Sequence, residues 1–309
     1  MKIKVLLVGL GKIGLEYDLK NKYNLTHFKS FYRNKKFTIV GVCDTNLKKK
    51  KFFKKKKINF FSNYKKAIKI LSPTVVVVST GTAKHFKILK KILRYESVKL
   101  ILCEKPFCKN LVQAKKIKLL DRFNKIHVNY MRSSDDIFYN KVIKKVQNCS
   151  TLFIEVFYKG SVLNNACHYI HLLNKYFGKC QRIKNILKFD SNFSDFKLIF
   201  KKNIQVHFFS SSARGLFLDS MRFYTPKLII NYDNGGHLIY NLKNVKNPIY
   251  LTPYYFKLKN IIKNKFYENS QKNVVANVYK FISKKKYSLC KSSEAIETHE
   301  IIKKIINEK

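Results

Sequence analysis

The sequence predicts an α/β domain with a doubly wound parallel sheet, followed by an α+β domain with a mainly antiparallel open sheet. Three observations support this fold class. A glycine-rich turn directly follows the first apolar strand, strands and helices alternate through the N-terminal part, and long apolar runs with few crossovers begin near Ser150. The length of 309 residues suits two domains, and we divide the chain into residues 1–126 and 127–309.

The N-terminal part contains continuous apolar runs of the kind found in parallel strands buried on both faces. The predicted strands are Lys2–Val8, Phe37–Cys43, Thr74–Ser79, Lys99–Cys103 and Ile126–Tyr130. Between them, helical spacing predicts a helix beginning near Lys12, then Ala83–Leu93 and Leu111–Phe123. This alternation indicates βαβ crossovers.

The first turn reads Gly9-Leu10-Gly11-Lys12-Ile13-Gly14. In a strand–turn–helix context, the first glycine permits the tight turn, the second lets the backbone approach a pyrophosphate, and the third lets helix and strand pack closely. We therefore predict a Rossmann-type dinucleotide-binding domain. The alternative is a glycine turn that serves packing only.

Asp44 follows the second strand, where a carboxylate can accept hydrogen bonds from the adenosine ribose hydroxyls. Because a carboxylate repels a 2′-phosphate, NAD is favoured over NADP, although Lys48–Lys51 soften that preference. The wide separation of Asp44 from Gly14 implies a lengthened helix and loop over Glu16–Asn34. The alternative is that Asp44 is a simple turn residue.

The C-terminal part predicts one helix near its start, Ala166–Phe177, and two closing helices, Lys272–Ser283 and Ser293–Ile306. The predicted strands are Thr151–Tyr158, Ile183–Phe189, Phe196–Lys201, Ile204–Ser210, Phe217–Tyr224, Lys227–Tyr232 and His237–Leu242. Asn203 and the run 233–236 supply hairpin turn chemistry. An open sheet with helices on one face follows from this pattern.

The formal net charge of +46 would ordinarily indicate nucleic acid or an anionic membrane. Only seven of the 64 basic residues are Arg, whereas phosphate and base recognition favours the bidentate guanidinium. The lysines are spread over the chain, and the dense run Lys48–Lys57 is interpreted as a solvated surface rather than a nucleic-acid patch. We expect no specific nucleic-acid partner.

The seven cysteines form no CxxC pair, and their scattered spacing predicts reduced structural thiols with no bound metal. No apolar stretch reaches the length of a membrane span, and the first apolar run ends in the glycine turn rather than at a cleavage site. We expect a cytoplasmic protein with no membrane partner.

With these motifs in order, the chain resembles the Gfo/Idh/MocA oxidoreductase family over nearly its full length. The resemblance rests on the glycine motif and Asp44, and on four further stretches in the expected order. These are Ser79-Thr80-Gly81-Thr82 with His85, Glu104-Lys105-Pro106, Val128-Asn129-Tyr130-Met131-Arg132, and Asn164–His171. Lys159-Gly160 followed by Asn165 and His168 is similar to a sugar-associated branch.

The resemblance implies NAD(P)-dependent oxidation or reduction of a carbinol carbon on a sugar, cyclitol or nucleotide sugar. It implies that Lys105 donates to the reacting oxygen, that Glu104 contacts the nicotinamide ribose region, and that Pro106 follows a cis bond. The expected cofactor-binding residues are Gly9, Gly11, Lys12, Ile13, Gly14, Asp44, Thr80, Thr82, His85, Glu104 and Lys105.

In the second domain the resemblance makes His168 the acid/base, with Lys105 and Asn164 completing the catalytic set. Asn164 stands where the family commonly has Asp, so it cannot raise the pKa of His168 by charge. Tyr130, Arg132, Asn165 and His171 are the expected substrate-binding residues. Structural roles for His168 and His171, an interdomain salt bridge for Arg132, and a metal pair at the two histidines are the alternatives.

The departures from the family pattern at Asn164 and His171 keep a second function class open. That class is a cofactor-sensing regulatory or binding protein without turnover. Our main prediction is an NAD(P)-dependent dehydrogenase or reductase with a small sugar-type substrate. An open sheet face often becomes an interface, so we expect a homodimer or homotetramer.

Overall fold

The computed structural model describes residues 2–149, 151–190, 192–246 and 254–307. The chain forms two compact units, each made of two segments. The first contains Met1–Ser134 and Glu268–Ile296, and the second contains Asp135–Tyr267 and Glu297–Lys309. The first unit therefore extends past the boundary placed at residue 126 and includes a returning segment that a linear division does not contain.

The first unit is built on a sheet that has seven strands within the described residues, in the order β15-β6-β5-β4-β1-β2-β3. All neighbours are parallel except β15 and β6. The strands are β1 (Ile3–Val8), β2 (Phe37–Cys43), β3 (Asn59–Phe61), β4 (Val75–Val78), β5 (Leu100–Cys103), β6 (Ile126–Val128) and β15 (Cys290–Lys291). The predicted doubly wound sheet is confirmed, while the short edge strands β3 and β15 were not predicted.

Helices cross between these strands. They are α1 (His27–Tyr32), α2 (Lys50–Lys55), α3 (Tyr64–Leu71), α4 (Thr82–Ile92) and α5 (Leu111–Leu120). The dense lysine run coincides with α2, whose Phe53 is buried while most of its lysines are exposed. The run therefore lies in part on an exposed helix face.

The prediction of a helix that begins near Lys12 is wrong. Residues 12–15 form turns, and only the short 3₁₀ segment Glu16–Asp18 follows before α1 begins at His27. Asp18 explains the break, because its buried carboxylate accepts hydrogen bonds from the backbone N–H groups of Leu25 and Thr26. A continuous helix from Lys12 would move the Leu25 and Thr26 N–H groups away from the Asp18 carboxylate.

The chain returns to the first unit through α9 (Phe266–Ile282). Val274, Val275 and Val278 of this helix join the buried core that contains β1, β2 and β4 side chains. Tyr279 packs edge-on against Phe37 at a centroid distance of 6.4 Å. The apolar face of α9 therefore explains why the first unit includes C-terminal residues.

The second unit contains a sheet that has eight strands within the described residues, in the order β14-β13-β12-β11-β7-β10-β9-β8. Its neighbours are antiparallel except β7 and β10. The strands are β7 (Phe153–Tyr158), β8 (Arg182–Lys188), β9 (Ser194–Ile199), β10 (Gln205–Ser210), β11 (Ser220–Tyr224), β12 (Leu228–Asp233), β13 (Leu238–Lys246) and β14 (Tyr254–Lys263). The mainly antiparallel sheet is confirmed, with β14 as an unpredicted strand.

One face of this sheet is covered by helices. They are α6 (Asp136–Phe138), α7 (Lys144–Val146), α8 (Cys167–Phe177) and the C-terminal part of α10 (Ser292–Asn307). Phe138 packs against Phe223 and Tyr232 on that face, at 6.1 and 4.9 Å between centroids. On the opposite face, Phe153, Phe157 and other side chains are only half-buried.

All seven cysteines are free thiols, and five of them are buried. In the part of the chain that the structure describes, no helix combines the length and the apolar character needed to cross a membrane.

Candidate active site

The glycine turn is held tightly against the end of β4. Gly9 has φ +96°, and a Cβ there would lie 2.6 Å from the backbone carbonyl carbon of Ser79. The Ser79 hydroxyl donates to the Gly9 carbonyl at 2.7 Å. A Cβ at Gly14 would meet the Gly9 carbonyl oxygen at 2.4 Å. Both positions therefore require glycine to keep this turn.

Beyond this contact, the turn presents unused hydrogen-bond donors. Among the described residues, no acceptor bonds the backbone N–H groups of Gly11, Lys12 or Ile13. A Cβ placed on Gly11 would meet no atom within 4 Å. Free amide donors beside open space fit the pyrophosphate of a dinucleotide, because successive N–H groups bind anions well.

Asp44 and Lys49 fix the same turn from the end of β2. Oδ2 of Asp44 accepts from the Leu10 N–H at 2.7 Å, while Lys49 Nζ donates to the Leu10 carbonyl at 2.5 Å. Lys49 also pairs with Glu16 at 2.8 Å and lies 3.9 Å from Asp44. A carboxylate oxygen accepts more than one hydrogen bond, so Asp44 can hold the turn and still receive a ribose hydroxyl.

A cavity of about 660 Å³ lies over this end of the sheet. Its size matches that of sites for small ligands and cofactors. Gly9, Gly11, Asp44 and Thr80 are the expected cofactor residues that line it. The remaining lining residues are Val8, Leu10, Cys43, Thr45, Ser62, Asn63, Tyr64, Lys65, Ser79, Gly81, Ala83, Lys84, Lys87 and Ile88.

His85 occupies a different place from the cofactor contact that we expected. It lies on α4, one turn after Thr82, and its side chain is fully buried. Nε2 lies 2.9 Å from the Thr80 carbonyl oxygen, and Nδ1 lies 3.1 Å from that of Pro106. The imidazole therefore bridges two backbone segments instead of facing the cavity.

Glu104 follows β5 and its carboxylate belongs to a buried polar network. Oε1 accepts from Nε2 of His27 at 2.7 Å and from Nδ2 of Asn129 at 2.6 Å. Asn129 also donates to Oε1 of Gln271 at 3.1 Å. Burial alone would raise the pKa of Glu104, but the bonds from His27 and Asn129 and the charge of Lys105 outweigh it and lower the pKa.

His27, Asn129 and Gln271 were not among the predicted site residues. The stretch Val128–Arg132 indicates a site, but within it the sequence predicts roles only for Tyr130 and Arg132. His27 carried no signal, because a single histidine within a polar segment is indistinguishable from a surface residue. The network joins residues that lie far apart in the sequence.

The peptide bond between Lys105 and Pro106 is cis, as the resemblance implied. Lys105 is partly exposed at the carboxyl end of β5. In open α/β sheets, ligands bind outside this end of the strands. Tyr130 and Arg132, which follow β6, are both buried.

In the second unit, Asn164 and Asn165 lie in a π-helical turn, Val162–Ala166, that leads into α8. The Asn164 side chain is exposed. Asn165 donates from Nδ2 to the Lys159 carbonyl at 2.6 Å, so it anchors the turn at Lys159 and Gly160.

His168 and His171 both lie on α8 and both are buried. Burial, with a smaller contribution from Lys175, lowers the pKa of His171 to about 3. His171 is therefore neutral near pH 7. Between them on the helix, Tyr169 donates its hydroxyl to Asp219, which also accepts from Tyr267.

A family model described as an oxidoreductase family with an NAD-binding Rossmann fold matches residues 3–130. The matched stretch contains the glycine turn, Asp44 and the Glu104–Pro106 loop. Over these residues the chain is similar to the Gfo/Idh/MocA oxidoreductase family. The search of curated proteins found no match to this sequence.

Solved structures share the fold of this chain over nearly its whole length. A dehydrogenase from Clostridium difficile has 17% identity and a TM-score of 0.73, with 99% of each chain covered. A UDP-N-acetylglucosamine 3-dehydrogenase from Acidithiobacillus ferrooxidans has 10% identity and a TM-score of 0.72, covering 99% of this chain and 97% of its own. A 3-ketoreductase from Actinomadura kijaniata, in complex with NADP and TDP-benzene, gives the same identity, TM-score and coverage.

Proposed function

We propose that the protein is an NAD-dependent dehydrogenase or reductase acting on a carbinol or carbonyl carbon of a sugar, cyclitol or nucleotide sugar. One observation carries the proposal. The Glu104-Lys105-Pro106 loop and the free amides of the glycine turn lie at the carboxyl ends of parallel strands of one sheet, where α/β proteins bind dinucleotides. The sugar-type substrate is supported by the activities of the UDP-N-acetylglucosamine 3-dehydrogenase and the 3-ketoreductase that share the fold.

When bound, NAD supplies the nicotinamide carbon that accepts or donates the hydride. The free N–H groups of Gly11, Lys12 and Ile13 would hold its pyrophosphate, and Asp44 its adenosine ribose. We favour NAD over NADP because the Asp44 carboxylate would lie against a 2′-phosphate. Lys49, the cation beside Asp44, is already bonded to Leu10 and Glu16.

Lys105 is the proposed donor to the reacting oxygen. Its ammonium group would stabilise the negative charge that develops as the hydroxyl proton leaves. We assign the acid/base role in the second unit to His168, with Asn164 as a substrate hydrogen-bond partner. Asn165, Tyr130 and Arg132 are the proposed residues for substrate recognition. His171 is assigned a structural role, because it is buried and neutral.

The test is a turnover assay with NAD and NADH against a panel of sugars, cyclitols and nucleotide sugars, followed by Lys105→Met on the best substrate. We expect kcat to fall by about 100-fold or more, the range of positioned proton-transfer and electrostatic groups, while NAD binding persists. Lys109→Met is the matched control, because Lys109 is an exposed lysine just beyond the same loop. Full turnover by Lys105→Met would refute the assigned role.

The panel also tests the second function class. NAD binding without hydride transfer to or from any member of the panel would favour the cofactor-sensing alternative.

We further propose that the protein self-associates through the uncovered sheet face of the second unit. Phe157 stacks on Phe209 at 5.2 Å and Phe153 packs against Tyr224 at 5.7 Å, both pairs half-buried on that face. A continuous aromatic surface of this kind is costly to leave in water. A second copy of the chain, in a homodimer or homotetramer, would cover it.

A further inference from the structure

The loop Glu104-Lys105-Pro106 is held from two sides by buried histidines that lie outside it. We infer that His27 and His85 are positioning residues, which fix the Glu104 carboxylate and the backbone of the loop for cofactor binding and hydride transfer. This inference rests on the proposed function, since it concerns the loop that carries Lys105.

On the first side, His27 and Asn129 restrain the Glu104 carboxylate. A carboxylate only accepts hydrogen bonds, so Nε2 of His27 must carry the proton that lies between the two groups. Both donors bond Oε1, and the described residues give Oε2 no hydrogen bond. The side chain is 10% exposed. Oε2 is thus the oxygen available to accept from a ligand hydroxyl.

The segment between the glycine turn and α1 folds so that His27 lies next to the Glu104 carboxylate. Asp18 is 1% exposed and accepts from the Thr26 N–H at 2.9 Å and from the Thr26 hydroxyl at 2.7 Å. Thr26 in turn caps α1 by accepting from the Lys29 N–H at 3.2 Å. His27 is the first residue of the helix that this cap begins.

On the second side, His85 connects the loop after β4 to the loop after β5. Nε2 lies 2.9 Å from the Thr80 carbonyl oxygen, and Nδ1 lies 3.1 and 3.2 Å from those of Pro106 and Phe107. Carbonyl oxygens only accept hydrogen bonds, and each neutral tautomer of imidazole carries one N–H, so one nitrogen donates to a carbonyl at a time. When Nε2 donates to Thr80, Nδ1 can accept from the Cys103 thiol, whose Sγ lies 3.4 Å away. Thr80 lines the cavity, and Pro106 follows Lys105 directly. His85 therefore couples the cavity wall to the Lys105 loop.

This arrangement has a kinetic consequence. A catalytic group displaced by about 1 Å can lose about 100-fold in rate without any change in its chemistry. Removing either histidine leaves Glu104 and Lys105 chemically intact but less restrained. Loss of rate in a folded protein, with partial recovery by a donor-bearing replacement, is the result that distinguishes positioning from simple packing.

The experiment compares His27→Ala, His27→Gln, His85→Ala and His85→Asn with wild type. Gln places an amide N–H near Nε2 of His27, and Asn places one near Nδ1 of His85, so each conservative variant keeps one donor. His127→Ala is the control, because His127 is a buried histidine of the same unit that packs against Phe281 and Tyr287 instead. The His127→Ala variant shows the effect of losing a buried histidine that makes no contact with the Glu104-Lys105-Pro106 loop.

Folding is checked first by thermal unfolding, and NAD affinity is then measured by calorimetry, which needs no substrate. We expect both alanine variants to weaken NAD binding and to lower kcat by about 10- to 100-fold with the substrate that the panel identifies. Gln and Asn should recover part of each loss, and His127→Ala should lower only the unfolding temperature.

Folded alanine variants with wild-type NAD affinity and kcat would overturn the inference. Absence of turnover in wild type would refute the proposed function, while the calorimetric comparison would still decide the positioning role.

Discussion

Nε2 of His27 lies 2.7 Å from Oε1 of Glu104, although 77 residues separate the two in sequence. The contact links α1 to the end of β5, and Asn129 at the end of β6 donates to the same oxygen at 2.6 Å. Three elements of the first unit thus meet at one carboxylate. The candidate site thus combines a buried polar network with the motif residues.

The stability of the protein should depend on the ionisation of Glu104. Because its pKa is lowered in the folded state, the ionised carboxylate contributes stability above its unfolded pKa, near 4.5, and this contribution is lost as pH falls through the folded pKa. We predict that the difference in unfolding temperature between wild type and Glu104→Gln is largest near neutral pH and shrinks below about pH 4.5. Thermal unfolding across pH 3 to 7 checks this, and a constant difference would contradict it.

His171 should produce a pH effect in a higher range. Its pKa falls from 6.5 in the unfolded chain to about 3 in the folded protein, so its neutral form contributes fully above pH 6.5. That contribution is lost as pH falls from 6.5 towards 3, and the loss at pH 5 is about 2 kcal/mol. We predict that His171→Leu makes the pH dependence of unfolding shallower between pH 7 and 5. Denaturant unfolding measures the slope, and His237→Leu, at a less buried histidine, is the control.

The central strands of the first unit could be predicted from sequence, because strands buried on both faces are continuous apolar runs. β2 spans Phe37–Cys43 as predicted, and the run of valines in β4 was recognised within one residue at each end. The edge strands β3 and β15 are too short for such a signal. Eight of the described side chains of β14 are exposed, so burial imposes little apolar pattern on it.

The polar part of the site could be predicted only where a motif carries it. Gly9, Asp44 and Glu104 stand at fixed places relative to strand ends, so sequence indicates their roles. His27 and Gln271 reach the site through tertiary packing, and no local spacing brings them together. The sequence indicates His85, but it does not reveal that His85 contacts the Pro106 and Phe107 carbonyls in the loop after β5.

Cofactor preference should change when Asp44 loses its charge. Asp44→Asn keeps a side-chain oxygen that can accept from the Leu10 N–H, which Oδ2 now accepts at 2.7 Å, so the turn should persist. Repulsion of a 2′-phosphate would be removed. We predict that wild type favours NAD and that kcat/KM for NADP relative to NAD rises by about 10-fold or more, equivalent to about 1.4 kcal/mol. An unchanged ratio would mean that Asp44 serves the turn only.

Self-association should depend on the aromatic sheet face of the second unit. We predict that Phe157→Lys shifts the protein towards monomer, because a charge replaces a ring that stacks on Phe209 at 5.2 Å. Light scattering after size-exclusion chromatography gives the molar mass. Phe123→Lys is the control, since Phe123 is 80% exposed in the first unit. A wild type that is monomeric at all concentrations tested would refute the interface.

Two glycines of the first turn should respond differently to the same substitution. Gly9→Ala forces an L side chain into φ +96° and brings a Cβ within 2.6 Å of Ser79 backbone, so we predict a loss of more than about 2 kcal/mol in unfolding free energy. Gly11→Ala meets no protein atom within 4 Å, and its unfolding free energy should stay within about 0.5 kcal/mol of wild type. Its methyl group would instead occupy the open space beside the free N–H groups, so NAD affinity should fall by about 10-fold or more. Chemical denaturation and calorimetry with NAD measure the two effects separately. If Gly11→Ala bound NAD as tightly as wild type, the pyrophosphate could not lie against this turn.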